Sequence, residues 1–245
     1  MMKQVIFEIV DNKPLNDRVM QLTLRGDTSA IVKPGQFVNI KIDGAFLRRP
    51  LSVCDVKGSL LTLVYMIKGS GTELLSRMQS GKLDVLTGLG NGFDPSAAGA
   101  SPLLIGGGLG FTPLYYLAKE LIAKGTVPTV ILGFASAKDI VFESVFITLG
   151  AKLIVCTEDG SFSRKGLVSE VMNDFDYSYF YACGPEPMFK AINNTAATDG
   201  EFSFEARMGC GFGACMGCTC ETIAGAKRIC RDGPVMKRSE LIWQT

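Results

Sequence analysis

The texture of the chain changes at Asp94-Pro95-Ser96-Ala97-Ala98-Gly99-Ala100-Ser101-Pro102, a small, flexible and nearly uncharged run, and no single fold pattern covers both sides of it. Before it, short β-rich runs recur at 5–10, 19–24, 37–42, 51–56, 60–67 and 83–86. Turn formers such as Lys33-Pro34-Gly35, Asp43-Gly44 and Lys57-Gly58-Ser59 separate them, the spacing of a small antiparallel barrel or sandwich. After it, strand and helix patterns alternate: 103–105 with 113–124, 129–134 with 141–149, 152–156 with 168–173, and 179–182 with 185–197. That alternation predicts a parallel sheet covered by helices. The expected organisation is an α+β multidomain chain: an antiparallel β-barrel domain at 1–96, an α/β parallel-sheet domain at 97–200 and a small C-terminal segment at 201–245.

The C-terminal segment carries five of the eight cysteines. Cys210-x4-Cys215-x2-Cys218, with Cys230 further on, has the spacing of plant-type [2Fe–2S] ligation, three thiolates on one loop and a fourth from a distance. Gly209, Gly211, Gly213 and Gly217 interleave the ligands, so main-chain N–H groups can approach the sulfurs. A four-cysteine zinc knuckle is the competing reading, although it more naturally shows two well-separated C-x2-C pairs. Cys220 competes with Cys218 as third ligand on proximity alone, whereas Cys54, Cys156 and Cys183 read as small apolar residues in or beside strands. The chain contains no histidine, which removes the commonest general base and any His-ligated centre.

Two further loops point to a nucleotide. In Ile105-Gly106-Gly107-Gly108-Leu109-Gly110-Phe111-Thr112-Pro113 the glycines lie between a buried strand and a helix start, where backbone N–H groups favour a pyrophosphate. The segment lacks the Lys-Ser/Thr ending of an ATP-binding loop. Cys183-Gly184-Pro185 repeats the strand, turn and helix start, which puts a second loop at the carboxyl edge of the same sheet; its plainer reading is only a sharp turn. In the β half, Arg48-Arg49-Pro50-Leu51-Ser52 opens a strand with a guanidinium suited to phosphate, and Gly69-Ser70-Gly71-Thr72 adds a turn with backbone donors.

With 25 basic against 24 acidic side chains, the net charge of +1 argues against nucleic acid as a partner. Clustered cysteines that resemble a metal site more than a disulfide framework point to a reducing compartment, and the N-terminus shows no signal pattern, so a cytoplasmic protein is expected. The uncharged stretch 95–118 imitates a membrane span, but its three prolines and five glycines exclude one.

Arg49-Pro50-Leu51-Ser52, the loop at 106–113, Cys183-Gly184-Pro185 and the cysteine cluster occur in an order that resembles the ferredoxin–NADP reductase superfamily, and within it the electron-transfer subunits of class 1B dihydroorotate dehydrogenases. Gly88-Leu89-Gly90-Asn91-Gly92-Phe93, Asp159-Gly160-Ser161 and Glu205-Ala206-Arg207-Met208 extend the likeness over nearly the whole chain. The resemblance implies an FAD-binding barrel, an NAD-binding α/β domain and a [2Fe–2S] segment. It also implies that electrons pass between NADH and a separate FMN-containing catalytic subunit that interconverts dihydroorotate and orotate in pyrimidine synthesis, in a heterotetramer of two catalytic and two electron-transfer subunits. Carried onto this sequence, Arg49, Pro50, Leu51, Ser52, Gly71 and Thr72 hold FAD with the strand end Tyr65-Met66-Ile67. Gly106, Gly107, Gly108, Gly110, Thr112, Cys183, Gly184 and Pro185 serve the nicotinamide nucleotide, and Cys210, Cys215, Cys218 and Cys230 hold the cluster. Met66 stands where that family often has Arg, which removes one phosphate contact.

No residue is expected to act as a general base, because hydride and single electrons move through the cofactors. NAD is expected over NADP, since Ala135-Ser136-Ala137-Lys138-Asp139 offers no arginine for a 2′-phosphate. Two other readings fit the same motifs: a related subunit of a hydrogenase, sulfur-reducing or electron-bifurcating complex, and a redox-sensing or zinc-stabilised binding module.

Overall fold

Alternation decides the first half of the chain. Met20, Leu22 and Leu24 on one strand, Leu61, Leu63 and Tyr65 on another, and Leu83 and Val85 on a third point inward and fill one apolar core with Phe7, Val38, Ile40 and Val53. In the computed structural model, which describes residues 1–243, the strands are β1 (Lys3–Pro14), β2 (Val19–Arg25), β3 (Phe37–Ile40), β4 (Arg49–Lys57), β5 (Leu60–Met66) and β6 (Lys82–Leu89). They close into a barrel in the order β1-β2-β5-β4-β3-β6 with every pairing antiparallel. Helix α1 (Ser70–Ser76) lies between β5 and β6, and its Leu75 joins the barrel core.

The second half is built on β7 (Pro102–Gly107), whose Leu103 and Ile105 face one core and Leu104 another. A strand buried on both faces is what a parallel sheet with helices on each side requires. It is followed by α2 (Phe111–Ala123), β8 (Thr129–Phe134), α3 (Glu143–Leu149), β9 (Lys152–Thr157), the short β10 (Arg164–Lys165), α4 (Val168–Val171), β11 (Tyr179–Cys183), α5 (Glu186–Thr195) and β12 (Gly200–Ser203). The sheet runs β10-β9-β8-β7-β11-β12 in parallel. Its order reverses at β7 and β11, so a crevice opens beyond their carboxyl ends. Helix α2 presents Leu114, Leu117 and Leu121 to the sheet core, while Tyr116 packs into the barrel core.

After β12 the chain leaves the sheet, forms a hairpin of β13 (Thr219–Thr222) and β14 (Gly225–Arg228) and the short α6 (Ile229–Asp232), then returns as β15 (Val235–Lys237) antiparallel to β12. One sheet thus contains residues from both sides of 200/201. Among the described residues no helix is long and apolar enough to cross a membrane.

Local differences from the sequence expectations have simple causes. Strand β4 begins at Arg49, because Arg49 and Pro50 already pair with Ile40 and Asn39 across to β3. Helix α2 begins at Phe111, so Pro113 sits within its first turn, where a missing N–H costs nothing. The helical pattern at 141–149 starts only at Glu143, because Phe142 adopts a left-handed conformation with its ring stacked on Phe111, centroids 5.0 Å apart.

Candidate functional site

The crevice is closed by contact between its two loops. Gly106 pairs with Cys183 across β7 and β11. A Cβ on Gly110 would run into the carbonyl of Cys183, so only glycine lets the loop after β7 lie against the loop after β11. Gly107 and Gly184 both pack on the sulfur of Met188 at the start of α5. Above them opens a cavity of about 550 Å3, lined by Gly107, Gly108, Leu109, Pro185 and Met188 and, from the end of β8 onward, by Ala135, Lys138 and Asp139. Glu158 lines it from the end of β9, and the barrel contributes Asn16, Arg18 and Met66. Asp139 accepts hydrogen bonds from the N–H and hydroxyl of Ser136 at 3.1 and 2.9 Å, which fixes an acidic group beside the cavity. Arg18 is a cation in the cavity that the segment 135–139 gave no reason to expect.

A second cavity, about 270 Å3, lies where the barrel meets the sheet. Pro50, Leu51 and Ser52 of β4, Tyr65 and Met66 of β5, and Thr72 of α1 form one side; Leu109 and Thr112 form another. Met66 and Leu109 line both cavities, so the two adjoin. The third side is Phe204, Glu205, Ala206 and Met208, the approach to the first cysteine of the cluster.

The two arginines of the β4 motif have different surroundings. Arg48 binds the barrel, donating to the carboxylate of Asp84 at 2.9 Å and to the Asp84 and Asn39 carbonyls at 3.0 and 3.2 Å. Its hydrogen bonds, with that of Gln4, hold the Asp84 carboxyl below the usual range against the opposing effect of burial. Arg49 makes no salt bridge among the described residues and lies across Gly71, where a Cβ would occupy the place of its guanidinium. Of the other residues singled out, Tyr65 gives its hydroxyl to Asn12 at 3.1 Å, and burial pushes that phenol up to about 12. Thr72 uses its hydroxyl within its own turn, accepting from Lys68 and Gly69. Ile67 packs on the barrel core and donates its N–H to the Arg18 carbonyl at 2.8 Å. Cys183 is fully buried at the seam; burial and the nearby Glu205 raise its thiol, and Glu205 is itself raised by burial.

Four of the five cysteines of the C-terminal segment are grouped as two pairs. The N–H of Cys215 points at the Cys210 sulfur, and the N–H of Cys230 at the Cys218 sulfur, each at 3.4 Å. Burial raises the Cys210 thiol, but the N–H groups of Cys215, Phe212 and Ala214 outweigh it and bring it down to about 6. Cys230 is pushed up to about 12 by burial and by Cys218. Cys218 and Cys230 sit in a small apolar core with Phe37, Leu86, Leu89 and Ile229, on the outer face of the barrel. Cys210 and Cys215 are half-buried on a loop whose Phe212 and Met216 are exposed. Among the described residues no three His, Cys, Asp or Glu side chains converge as they do around a single ion. Cys220 lies on β13 opposite Lys227, outside both pairs. Cys54 and Cys156 are buried within strands.

Sequence reasoning passed over Glu205, Arg18 and two asparagines. Asn91 donates to the Val235 carbonyl at 2.7 Å and accepts from the Val235 N–H at 3.1 Å, tying the end of β6 to the chain after Cys230. Asn39 of β3 donates to the Cys210 carbonyl at 3.0 Å. Asn91 and Glu205 stood in the quoted motifs without a role; Asn39 carried no sequence signal, because its partner is brought to it only by the fold.

Residues 205–242 match the family model described as the iron-sulfur cluster binding domain of dihydroorotate dehydrogenase B. The chain is 40% identical over 255 residues to the dihydroorotate dehydrogenase B (NAD(+)) electron transfer subunit of Bacillus pumilus, covering 98% of each chain. It is 39% identical over 260 residues to that of Enterococcus faecalis, again 98% of each. Among solved structures it resembles one described as an NADH-dependent reduced ferredoxin-NADP oxidoreductase, with a TM-score of 0.85, 29% identity, and coverage of 97% of this chain and 90% of the other. The ferredoxin NADP+ reductase of Neisseria gonorrhoeae shares the fold at 17% identity, TM-score 0.68, over 79% of this chain and 89% of that one. With near-complete coverage at this level of identity, and a cluster-domain match over its cysteine segment, the chain belongs to the family of electron transfer subunits of dihydroorotate dehydrogenase B.

Proposed function

We propose that the chain passes electrons between NADH and a separate FMN-containing dihydroorotate dehydrogenase catalytic subunit, through FAD and a [2Fe–2S] cluster, in pyrimidine synthesis. One observation carries this reading: the nucleotide-sized crevice, the barrel cavity and the cysteine loop are contiguous, joined by Met66 and Leu109 at the first seam and by Ala206 and Met208 at the second. When bound, the flavin supplies the conversion of a two-electron hydride donor to one-electron transfers.

The residues fit those groups. Arg49, which lies over Gly71 and donates to the Leu47 carbonyl but has no ion-pair partner among the described residues, is the phosphate partner in the barrel; Pro50, Leu51, Ser52, Tyr65, Met66 and Thr72 shape the flavin cavity, and Ile67 supports the strand end. Gly107, Gly108 and Pro185 line the crevice beside a pyrophosphate; Gly106, Gly110, Cys183 and Gly184 lie behind them, where the two loops meet, and Thr112 lines the flavin cavity. Asp139 and Glu158 share the crevice with Arg18 and Lys138, so its charge is balanced, and the likeness to NAD(+) electron transfer subunits favours NAD over NADP. Two thiol pairs, Cys210 with Cys215 and Cys218 with Cys230, give each iron of a two-iron cluster two ligands. Under this reading 1–96 is the FAD domain, 97–200 the NAD domain and 201–245 the cluster segment.

The proposed assembly is a cytoplasmic heterotetramer of two catalytic and two electron-transfer subunits. A subunit of a hydrogenase, sulfur-reducing or electron-bifurcating complex is the second reading, favoured only by the likeness to the solved oxidoreductase. The test is purification from the native cell. Flavin and iron–sulfur absorbance, co-purification with a dihydroorotate-oxidising protein, and loss of the iron–sulfur signal alone in Cys215→Ser are expected. A colourless protein, or a hydrogenase-like partner, defeats the reading.

A further inference from the structure

The two halves of the cysteine site are held differently. Cys218 and Cys230 are packed into the apolar core against the barrel, and the chain beyond them is clamped by Asn91. Cys210 and Cys215 sit on a loop with no regular secondary structure, carrying exposed Phe212 and Met216. Among the described residues, one barrel side chain hydrogen-bonds into that loop: Asn39, whose Nδ2 donates to the Cys210 carbonyl at 3.0 Å. Arg228 of the hairpin holds the same loop at the Gly213 carbonyl, 2.6 Å away, but does not connect it to the barrel.

Asn39 is 1% exposed, and its Oδ1 is buried with no donor among the described residues. Burying an amide with one end unsatisfied costs free energy, and the hydrogen bond at its other end is the contact that offsets that cost. The backbone of Asn39 is fixed in turn, since Arg48 donates to its carbonyl and is itself held by Asp84. Gly211 adds close fit: its φ is +74°, and a Cβ there would fall on Asn39 Nδ2. The side chain therefore meets the loop at two successive residues, the Cys210 carbonyl and Gly211.

We infer that Asn39 is a positioning residue for the [2Fe–2S] cluster, fixing the Cys210–Cys215 half against the flavin barrel through the Cys210 carbonyl. The inference rests on the cluster reading of the four cysteines. Partners that orient a metal ligand from behind typically change metal retention by 10–100-fold when removed. Without Asn39 the Cys210 loop can swing from the barrel, carrying with it the N–H groups that face the sulfurs.

Asn39→Ala and Asn39→Asp are prepared in the full chain loaded with FAD and cluster. Three quantities are read: bound FAD, the rate at which EDTA bleaches the iron–sulfur absorbance, and the electron paramagnetic resonance signal of the dithionite-reduced protein. Full FAD content, bleaching about tenfold faster than in the parent chain, and displaced or broadened resonance lines are expected. Unchanged bleaching and resonance overturn the inference. So does loss of FAD together with the cluster, which would make Asn39 a support of the barrel alone. A parent chain with flavin but no iron–sulfur signal defeats the cluster reading itself.

Discussion

Lys119 Nζ on α2 lies 2.5 Å from Asp55 Oδ1 on β4 and 3.0 Å from the Val56 carbonyl, a half-buried ion pair that crosses from the parallel sheet to the barrel. It stands beside Tyr116, which the same helix inserts into the barrel core. Because both cavities lie along this junction, the pair fixes the geometry in which they adjoin.

Lys119→Met keeps the apolar stem and removes the charge, leaving Asp55 unpaired. A loss of about 1–2 kcal/mol in unfolding free energy is expected, on the scale of a charged hydrogen bond. Urea denaturation checks it; a variant as stable as the parent rules out the junction as a source of stability.

Gly71→Ala places a methyl where the Arg49 guanidinium lies. The arginine must move, and FAD affinity is expected to fall about tenfold, ~1.4 kcal/mol. Fluorescence of released flavin on dilution measures it. Retained affinity would remove Arg49 from the proposed phosphate site.

Glu201 on β12 is 3% exposed and accepts the Asp94 N–H at 3.0 Å. Burial raises its carboxyl to about 7 against the lowering effect of that hydrogen bond; the Asp94 charge adds to the rise, and Lys237 and Lys33 oppose it. The folded chain therefore binds a proton between roughly pH 4.5 and 7 that the unfolded chain releases, so this group's contribution to stability is present at low pH and is lost as pH rises through 7. Glu201→Gln is expected to remove a decline of about 1–3 kcal/mol between pH 5 and pH 8. Denaturant titrations at the two pH values decide it, and equal slopes in parent and variant count against it.

Cys220→Ser is expected to leave the iron–sulfur absorbance unchanged, since Cys220 lies on β13 outside both thiol pairs. Bleaching of that variant as fast as Cys218→Ser would transfer the third ligand to Cys220.

Elements with one buried face were legible in the sequence, because alternation at Leu22 and Leu24 or at Leu83 and Val85 has no other use. The glycine loop and the Cys183 turn were legible as loops, and the order reversal at β7 and β11 brings them together. Strands β12 and β15 were not: four and three residues long, they depend on a pairing between distant segments rather than on a local pattern. The division of labour between Arg48 and Arg49 was equally hidden, since it is set by Asp84 on another strand. Asn39 shows the same limit, a polar residue in an apolar strand whose reason lies far along the chain.

The pairing of β12 with β15 turns everything from Phe204 to Pro234 into a lasso whose two ends are stitched side by side at the sheet edge. Such a lasso can open and reclose as its own cooperative unit while the stitch holds. The Cys210–Cys215 half, outside the apolar core that holds Cys218 and Cys230, is the part that loosens first, and in hydrogen exchange the amides of 209–217 are expected to lose protection well before those of β11 and β12.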